Sequence, residues 1–424
     1  MIDDPAIFAL SRFLDLSVFR SELVTSNMAN IDTPNYKDTQ VLFSDLFYQN
    51  LSTTGSGDPI QLGAGAKVGS MPSMFTQGSV SSTGVPTDVA IQGNGFFVVQ
   101  QNGVTSYTRA GNFSVDKNNF LVTADGQQVL GYPAVKGVVE SGEALAPIEL
   151  GAGAISPPTQ TGSVQIQTNL DAGAAGNTVY STEVAIYDSL GASHTLTFTF
   201  TKTGANSWGY SLSIPASDLG PVNGTPQTGV LATGTLTFDG NGNLTGPVDA
   251  SGKLTNITGI PINNLADGAS DMTFDWNLLN GTSPVMTQVA SASGTSSTHQ
   301  DGASSGTLTD FSIGPDGTIT GSFSNGKTAA LGQLALASFA NDQGLQRAGD
   351  TNYTATLASG QAVIGAPGTA GRGTLSGGSL ELSNVDISTE FSNLIVAQRA
   401  FEANAKAVTT FDQIMQDTIN LKTA

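Results

Sequence analysis

The stretch DISTEFSNLIVAQRAFEANAKAVTTFDQIMQDTINL, residues 386–421, contains no glycine or proline, in a chain with 51 glycines and 17 prolines among 424 residues. A heptad reading places Ile387, Phe391, Leu394, Gln398, Phe401, Ala405, Val408, Asp412, Met415 and Ile419 at seam positions, and eight of these ten are apolar. Apolar residues at this spacing predict a helix that seeks a partner along its length. At about 1.5 Å per residue it would run about 50 Å, far beyond an ordinary globular helix. One arrangement lays such a helix across its own domain. The other pairs it with a second helix and with neighbouring copies, and the length favours that one. Phe391, Leu394, Phe401, Val408, Met415 and Ile419 are then candidate assembly residues.

A partner is available at the other end. Residues 5–30 read as helix, with Pro5 suited to the first turn. Ile7, Leu10, Leu14 and Val18 form one apolar row, and Phe13, Leu16, Phe19 and Leu23 a second. Leu10, Leu14 and Leu23 join the candidate assembly set. The helix then meets SNMANIDTPNYK, residues 26–37. Asn27, Asn30 and Asp32 compete for backbone hydrogen bonds, and Pro34 disfavours helix at Thr33. The expectation is a joint between a terminal helix and the rest of the chain.

The intervening sequence is of another kind. In TLTFTFT (195–201), alternation puts Leu196, Phe198 and Phe200 on one strand face. GFFVVQ (95–100), FLVTADGQQVLGY (120–132), FDGNGNLTG (238–246) and IGPDGTITG (313–321) read as strands broken by glycine turns. The fold class expected is mainly β with α-helical termini: nested antiparallel β domains plus a coiled-coil pair of N- and C-terminal helices.

Composition narrows the function. Charged residues are 12% of the chain and the net charge is −19, with no basic run, so nucleic-acid binding is disfavoured. Cysteine is absent, which rules out disulfides and thiolate metal sites. No apolar stretch is long enough to span a membrane. The acidic start, Met1-Ile2-Asp3-Asp4, does not resemble a secretory signal, so the expectation is cytoplasmic residence or export without a cleaved leader.

Catalytic chemistry is hard to nominate. The two histidines, His194 and His299, lie far apart in sequence, and His194 in SLGASHTL reads as an exposed turn residue. Asp239, Asn241 and Asn243 alternate as in a calcium loop but lack the closing Glu. Asp188 and Asp310 are not brought together by any pattern. Trp208 and Trp276 read as core. No catalytic, cofactor-binding or metal-binding residue is assigned, and no cofactor is expected.

Several long stretches resemble the bacterial flagellar rod and hook axial protein family, most closely its hook members. They are SNMANIDTPNYK; DVAIQGNGFFVV with YTRAGNFSVDKNNFLVTADGQQVLGYP (107–133); LGQLALASFANDQGLQRAGDTNY (331–353); and residues 373–421. The resemblance implies a structural, non-catalytic subunit that self-assembles into the flexible tubular joint carrying torque from rod to filament. It implies partners: further copies of itself, rod, hook-cap and hook–filament junction proteins, and the type III export apparatus, with no nucleic acid and no membrane insertion. It also implies a location in the flagellar hook and basal body, outside the cell. Within it, Asn27, Asn30, Pro34, Asn35 and Tyr36 form the helix-to-body joint. Asn35 stands where relatives often have glycine, and Asn tolerates a left-handed turn.

The expected domains are 1–30 with 385–424 (terminal helices), 31–70 (linker), 71–155 with 298–384 (inner β domain) and 156–297 (inserted outer β domain). The start of the chain resembles rod proteins more than typical hook proteins, so a distal-rod subunit is the nearest alternative. The extra material of 156–297 argues against it. An extracellular β-rich adhesin is an alternative from another class, but it leaves the C-terminal heptads unexplained.

Overall fold

In the computed structural model the described residues are 5–46, 48–53, 58–63, 65–135, 137–140, 142–150 and 155–423; within them, side chains are not described for 5–11, 48–53, 59–63, 419, 422 and 423. The chain divides into two units. A terminal unit takes residues 1–151, 311–321 and 329–424, and a central unit takes 152–310 and 322–328.

Both long helices belong to the terminal unit: α1, Pro5–Ala29, and α2, Ile387–Thr423. They pack along each other. Asp386 caps α2, its Oδ1 accepting the Thr389 N–H at 2.7 Å, which satisfies one of the donors that a helix start leaves free. The strands of this unit pair the outgoing chain with the returning chain. Val80–Ser82 lies antiparallel to Ser379–Glu381, and Val89–Gln92 to Thr374–Gly377. The hairpin Phe96–Gln101 with Val104–Thr108 continues this theme: its first strand also pairs with Gln128–Val135 and Leu336–Ser338, and its second with Asn352–Thr354.

The two faces of Phe96–Gln101 build two cores. Phe97 and Val99 join Val89, Ile91, Leu121, Val129, Leu334 and Leu375. Phe96 and Val98 join Tyr107, Leu130 and Tyr353. A strand buried on both faces explains why FFVV is an unbroken apolar run. Gly111 is required by the packing, since a Cβ there would meet the Val89 carbonyl oxygen at 1.7 Å.

The central unit is a two-sheet sandwich around one core. One sheet runs in sequence order through Val179–Tyr187, Ser193–Gly204, Ser207–Ser213, Val230–Phe238 and Leu244–Gly246, all antiparallel. In the other, Ser163–Asn169 pairs antiparallel with Gly294–Gln300 but parallel with Met272–Asn277 and Met286–Thr287. That parallel pairing departs from the antiparallel expectation. It arises because the strands following Ser163–Asn169 in sequence are sent to the opposite sheet.

Leu196, Phe198 and Phe200 are fully buried on one face, as their alternation predicts. Phe198 meets Trp276 edge-on with ring centroids 5.0 Å apart. Trp208 is also fully buried and donates Nε1–H to Gln288 Oε1 at 3.0 Å. In FDGNGNLTG, Asp239 Oδ1 accepts the N–H groups of Asn241 and Asn243 at 2.9 and 2.8 Å, making a turn between strands.

His194 corrects the sequence expectation. It is not an exposed turn residue but lies buried on the strand Ser193–Gly204, between Asp188 and Asp218. The turn ends two residues earlier than the sequence suggests, and the alternation that buries Leu196 and Phe198 also turns His194 inward.

Both tryptophans of the chain sit in this sandwich, so tryptophan fluorescence follows this unit alone. Phe198→Ala should lower its stability by about 3–5 kcal/mol, read as an earlier tryptophan transition in urea. An unmoved transition would refute the packing described.

Candidate functional site: the helix-to-body joint

Asn27 lies in the last turn of α1 and is buried. Its Nδ2 donates to Asp38 Oδ1 at 2.5 Å and to the Thr39 carbonyl at 3.0 Å. Its Oδ1 accepts from the Tyr36 hydroxyl at 3.2 Å and the Thr39 N–H at 3.3 Å. Four hydrogen bonds of the Asn27 side chain are thus turned on the segment that follows the helix. Asn27 does not unwind α1; it fastens the next segment back against it. Asn30 closes the helix end, its Nδ2 donating to the Ser26 carbonyl at 2.8 Å. The chain then turns at Thr33–Tyr36, where the Tyr36 N–H reaches the Thr33 carbonyl at 3.2 Å. Pro34 takes the first central position and Asn35, at φ 58°, the second. A positive φ at that position is the requirement of a type II turn, and Asn meets it with less strain than most residues.

The turn delivers Lys37 into the interior. Its Nζ, fully buried, lies 2.5 Å from Glu381 Oε1 and 2.9 Å from the Thr76 carbonyl. The other oxygen of Glu381 receives Arg109 at 3.2 Å, and Arg109 also donates to the carbonyls of Gly95 and Gly93 at 3.1 and 3.0 Å. Glu381 Oε1 accepts the Gly78 N–H at 2.8 Å as well. One carboxylate therefore holds two cations and a backbone donor, drawn from four stretches of chain. Burial, followed by the neighbouring Arg109 charge, pushes the Lys37 pKa down, and the contact with Glu381 opposes this.

Around this lock, Asn384 accepts the Asp38 N–H at 2.7 Å and donates to the Met74 carbonyl at 2.7 Å. Arg347 donates to the Lys37 carbonyl at 2.7 Å and lies over the Tyr36 ring at 5.5 Å.

Sequence reading nominated Asn27, Asn30, Pro34, Asn35 and Tyr36, and all five stand at this joint. It did not single out Lys37, Arg109, Arg347, Glu381 or Asn384. A signal was available. Glu381 lies between Leu380 and Leu382 in a chain poor in charge, and a carboxylate in an apolar strand needs a buried cation.

Along the helix pair, Leu14, Leu23, Leu394, Val408 and Met415 are half-buried, and Leu10 and Ile419 lie outside the residues whose side chains are described. The heptad reading is one position off in its second row. In that row Phe391, Gln398 and Asp412 are exposed and Ala405 half-buried, while one position earlier Glu390 and Ala397 are buried and Asn404 and Phe411 half-buried; in the first row Ile387 and Phe401 are exposed. The apolar surface of α2 is wider than a two-helix seam, so spacing alone does not say which row meets α1. Phe391, Ile395, Val396, Phe401 and Ile414 of α2, with Phe13 and Val18 of α1, remain exposed in the single chain.

The pentapeptide GASSG (302–306) has the spacing of a nucleophile elbow. It lies between the strands Gly294–Gln300 and Gly306–Ile313, without the helix that such an elbow opens.

The β body thus locks the inner ends of two paired helices, whose outer apolar rows stay exposed among the described residues. Three family models match the chain: the flagellar basal body protein FlaE D2 domain over residues 157–303, the flagellar hook protein FlgE/F/G D1 domain over 90–169, and the flagellar basal body rod FlgEFG protein C-terminal region over 376–421. Among curated relatives, the flagellar hook protein FlgE of Salmonella typhimurium is 36% identical, over 96% of this chain and 98% of its own length. Those of Escherichia coli and Treponema pallidum are each 34% identical, covering 96% and 95% of this chain and 98% and 96% of their own. The class is that of flagellar axial structural proteins. Within it, the chain belongs to the flagellar hook protein FlgE family.

Two predictions follow from the joint's electrostatics. Glu381→Gln leaves Lys37 and Arg109 buried without their anion and should cost about 3–5 kcal/mol. The expected readout is faster amide exchange in 80–92 and 374–381, and unchanged exchange there would refute the lock. The second concerns pH. Burial raises the pKa of Asp38, and burial followed by the Asp38 charge raises that of Glu390. Carboxyls with raised folded-state values stabilise fully below their unfolded values, and that contribution is lost as pH rises through the folded ones. The joint should therefore tighten as pH falls from neutral towards the ordinary carboxylate range, with slower exchange in 20–40 after correction for intrinsic rates. Glu390→Gln should flatten that dependence.

Proposed function

We propose that this chain is the structural subunit of the flagellar hook, polymerising into the tubular joint that carries torque from rod to filament. The observation that carries the reading is the exposed apolar row on α1 and α2. Helices that pair within the chain and still present Phe391, Ile395 and Val396 to water gain most by packing against helices of neighbouring copies. In this reading α1 and α2 line the inner tube as a multi-helix coiled coil, with Leu10, Leu14, Leu23, Phe391, Leu394, Phe401, Val408, Met415 and Ile419 contributing to contacts within and between copies. The segment 156–297 forms the outer domain, 71–155 with 298–384 the inner β domain, and 31–70 links them to the helices. Asn27, Asn30, Pro34, Asn35 and Tyr36 set the angle at which each helix enters its β body.

Export through the type III apparatus, and contact with rod, hook-cap and hook–filament junction proteins, belong to the same reading. The role is mechanical, and no catalytic step is assigned to any residue.

The test is a paired substitution, Phe391→Ser with Ile395→Ser. It should leave the tryptophan fluorescence and folded β content of the monomer unchanged and abolish filaments in electron micrographs. Normal hooks from this variant would overturn the reading. In cells lacking the chain altogether, basal bodies with a complete rod and no hook are expected, whereas a truncated rod would indicate the distal-rod alternative.

A further inference from the structure

We propose that the central unit carries a binding site for one first-row divalent cation, best suited to Zn²⁺, formed by Asp188, His194 and Asp267. His194 Nε2 lies 3.1 Å from Asp188 Oδ2 and 3.8 Å from Asp267 Oδ2, and the three donor atoms lie within 4.8 Å of one another. Zinc bonds to N and O donors are about 2.0–2.2 Å long, so a tetrahedral site spaces its ligand atoms roughly 3.3–3.6 Å apart. The two distances to His194 bracket that value, and modest side-chain shifts would complete the site.

The surroundings prepare each donor. His194 Nδ1 lies 3.1 Å from Asp218 Oδ2. A proton held there leaves the Nε2 lone pair facing Asp188 and Asp267, the carboxylate–imidazole arrangement that orients histidines at metal centres. Asp188 is fully buried, and its Oδ1 accepts the N–H groups of Leu190 and Ala192 at 2.8 and 2.9 Å. That fixes the carboxylate and leaves Oδ2 to bind. Asp267 has a third of its side chain exposed, which gives an ion entry and room for a water ligand.

Charge points the same way. Three carboxylates meet one imidazole, and no Lys or Arg forms an ion pair with any of them among the described residues. A divalent ion supplies the missing positive charge beside Asp188, whose carboxylate is held apart from bulk water. One nitrogen with two carboxylate oxygens suits zinc or manganese, whereas calcium and magnesium prefer all-oxygen shells. The ligands come from the turn before Ser193–Gly204, from that strand, and from the loop after Ile257–Ile262, so an ion would staple three segments of one sandwich. This inference is independent of the hook reading.

The experiment uses the untagged full chain, stripped with chelator and dialysed, as monomer. Zinc chloride, manganese chloride, calcium chloride and magnesium chloride are titrated separately by calorimetry, with the tryptophan melting transition followed in parallel. One zinc per chain and a rise in that transition are expected, with calcium and magnesium without effect. Asp267→Asn should weaken zinc binding at least tenfold, and Asp218→Asn by about 10–100-fold. His299→Gln should leave it unchanged. On zinc addition, the ¹⁵N resonance of His194 Nε2 should move to the metal-bound range while Nδ1 stays protonated. If His194 remains protonated on both nitrogens at saturating zinc, the cluster is a proton-bridged clasp only and the proposal fails. It fails equally if wild type and Asp267→Asn bind zinc alike.

Discussion

A single buried carboxylate, Glu381, holds the two ends of the β body together. Lys37 reaches it from the segment just after α1, Arg109 from the core strands, and Glu381 itself stands on the returning chain six residues before α2. Three charges removed from water are costly unless geometry and hydrogen bonds compensate. Here Thr76, Gly78, Gly93 and Gly95 supply these bonds from the backbone. Such a group contributes less to net stability than well-packed apolar residues would. Its value lies in specificity: no other register of Ser379–Glu381 against Val80–Ser82 brings the carboxylate to both cations. The lock fixes where each helix leaves the body, and a polymer needs that angle repeated in every copy.

The helices are the complementary case. α1 and α2 cover part of each other and α1 also meets the strand Ala66–Ser70, yet among the described residues Phe13, Val18, Phe391, Ile395, Val396, Phe401 and Ile414 stay exposed. A helix pair joined to a body through defined polar contacts can be presented to neighbours without first being built by them. The groove beside it is mixed, with Arg20, Asn27, Asp38, Glu390 and Asn393 set among Leu23, Val24, Val41 and Phe43, whereas the outer rows are apolar. In the proposed assembly a partner helix would meet distinct chemistry at the joint and along the shaft, which discourages slippage by one heptad.

Much of this was legible in sequence because it rests on local rules. The gap in glycine and proline marked α2, alternation marked the strand Ser193–Gly204, and the Thr-Pro-Asn turn marked the joint. What was not legible depends on long-range encounters. Glu381 and Lys37 are separated by 344 positions, and nothing local announces their meeting. His194 was misread because a strand start and a turn share the same residues, and only the facing Asp218 and Asp267 show that it points inward. The second helical row was misplaced by one residue because α2 is apolar on more than one face. Seam assignment then depends on which partner arrives first, a fact of packing rather than of pattern.

The two units also differ in what completes them. The central sandwich buries Phe198, Phe200, Trp208, Phe274 and Trp276 within one core, so its fold is satisfied by its own residues. The terminal unit has two small cores on the faces of one strand and a charged lock, and its longest elements are also its least covered. A subunit built this way completes its sandwich and lock from its own residues, while its helices keep apolar rows exposed. Covering Phe391 and Ile395 with further intrachain residues would stabilise the single copy. The same change would remove the apolar surface on which the proposed assembly rests.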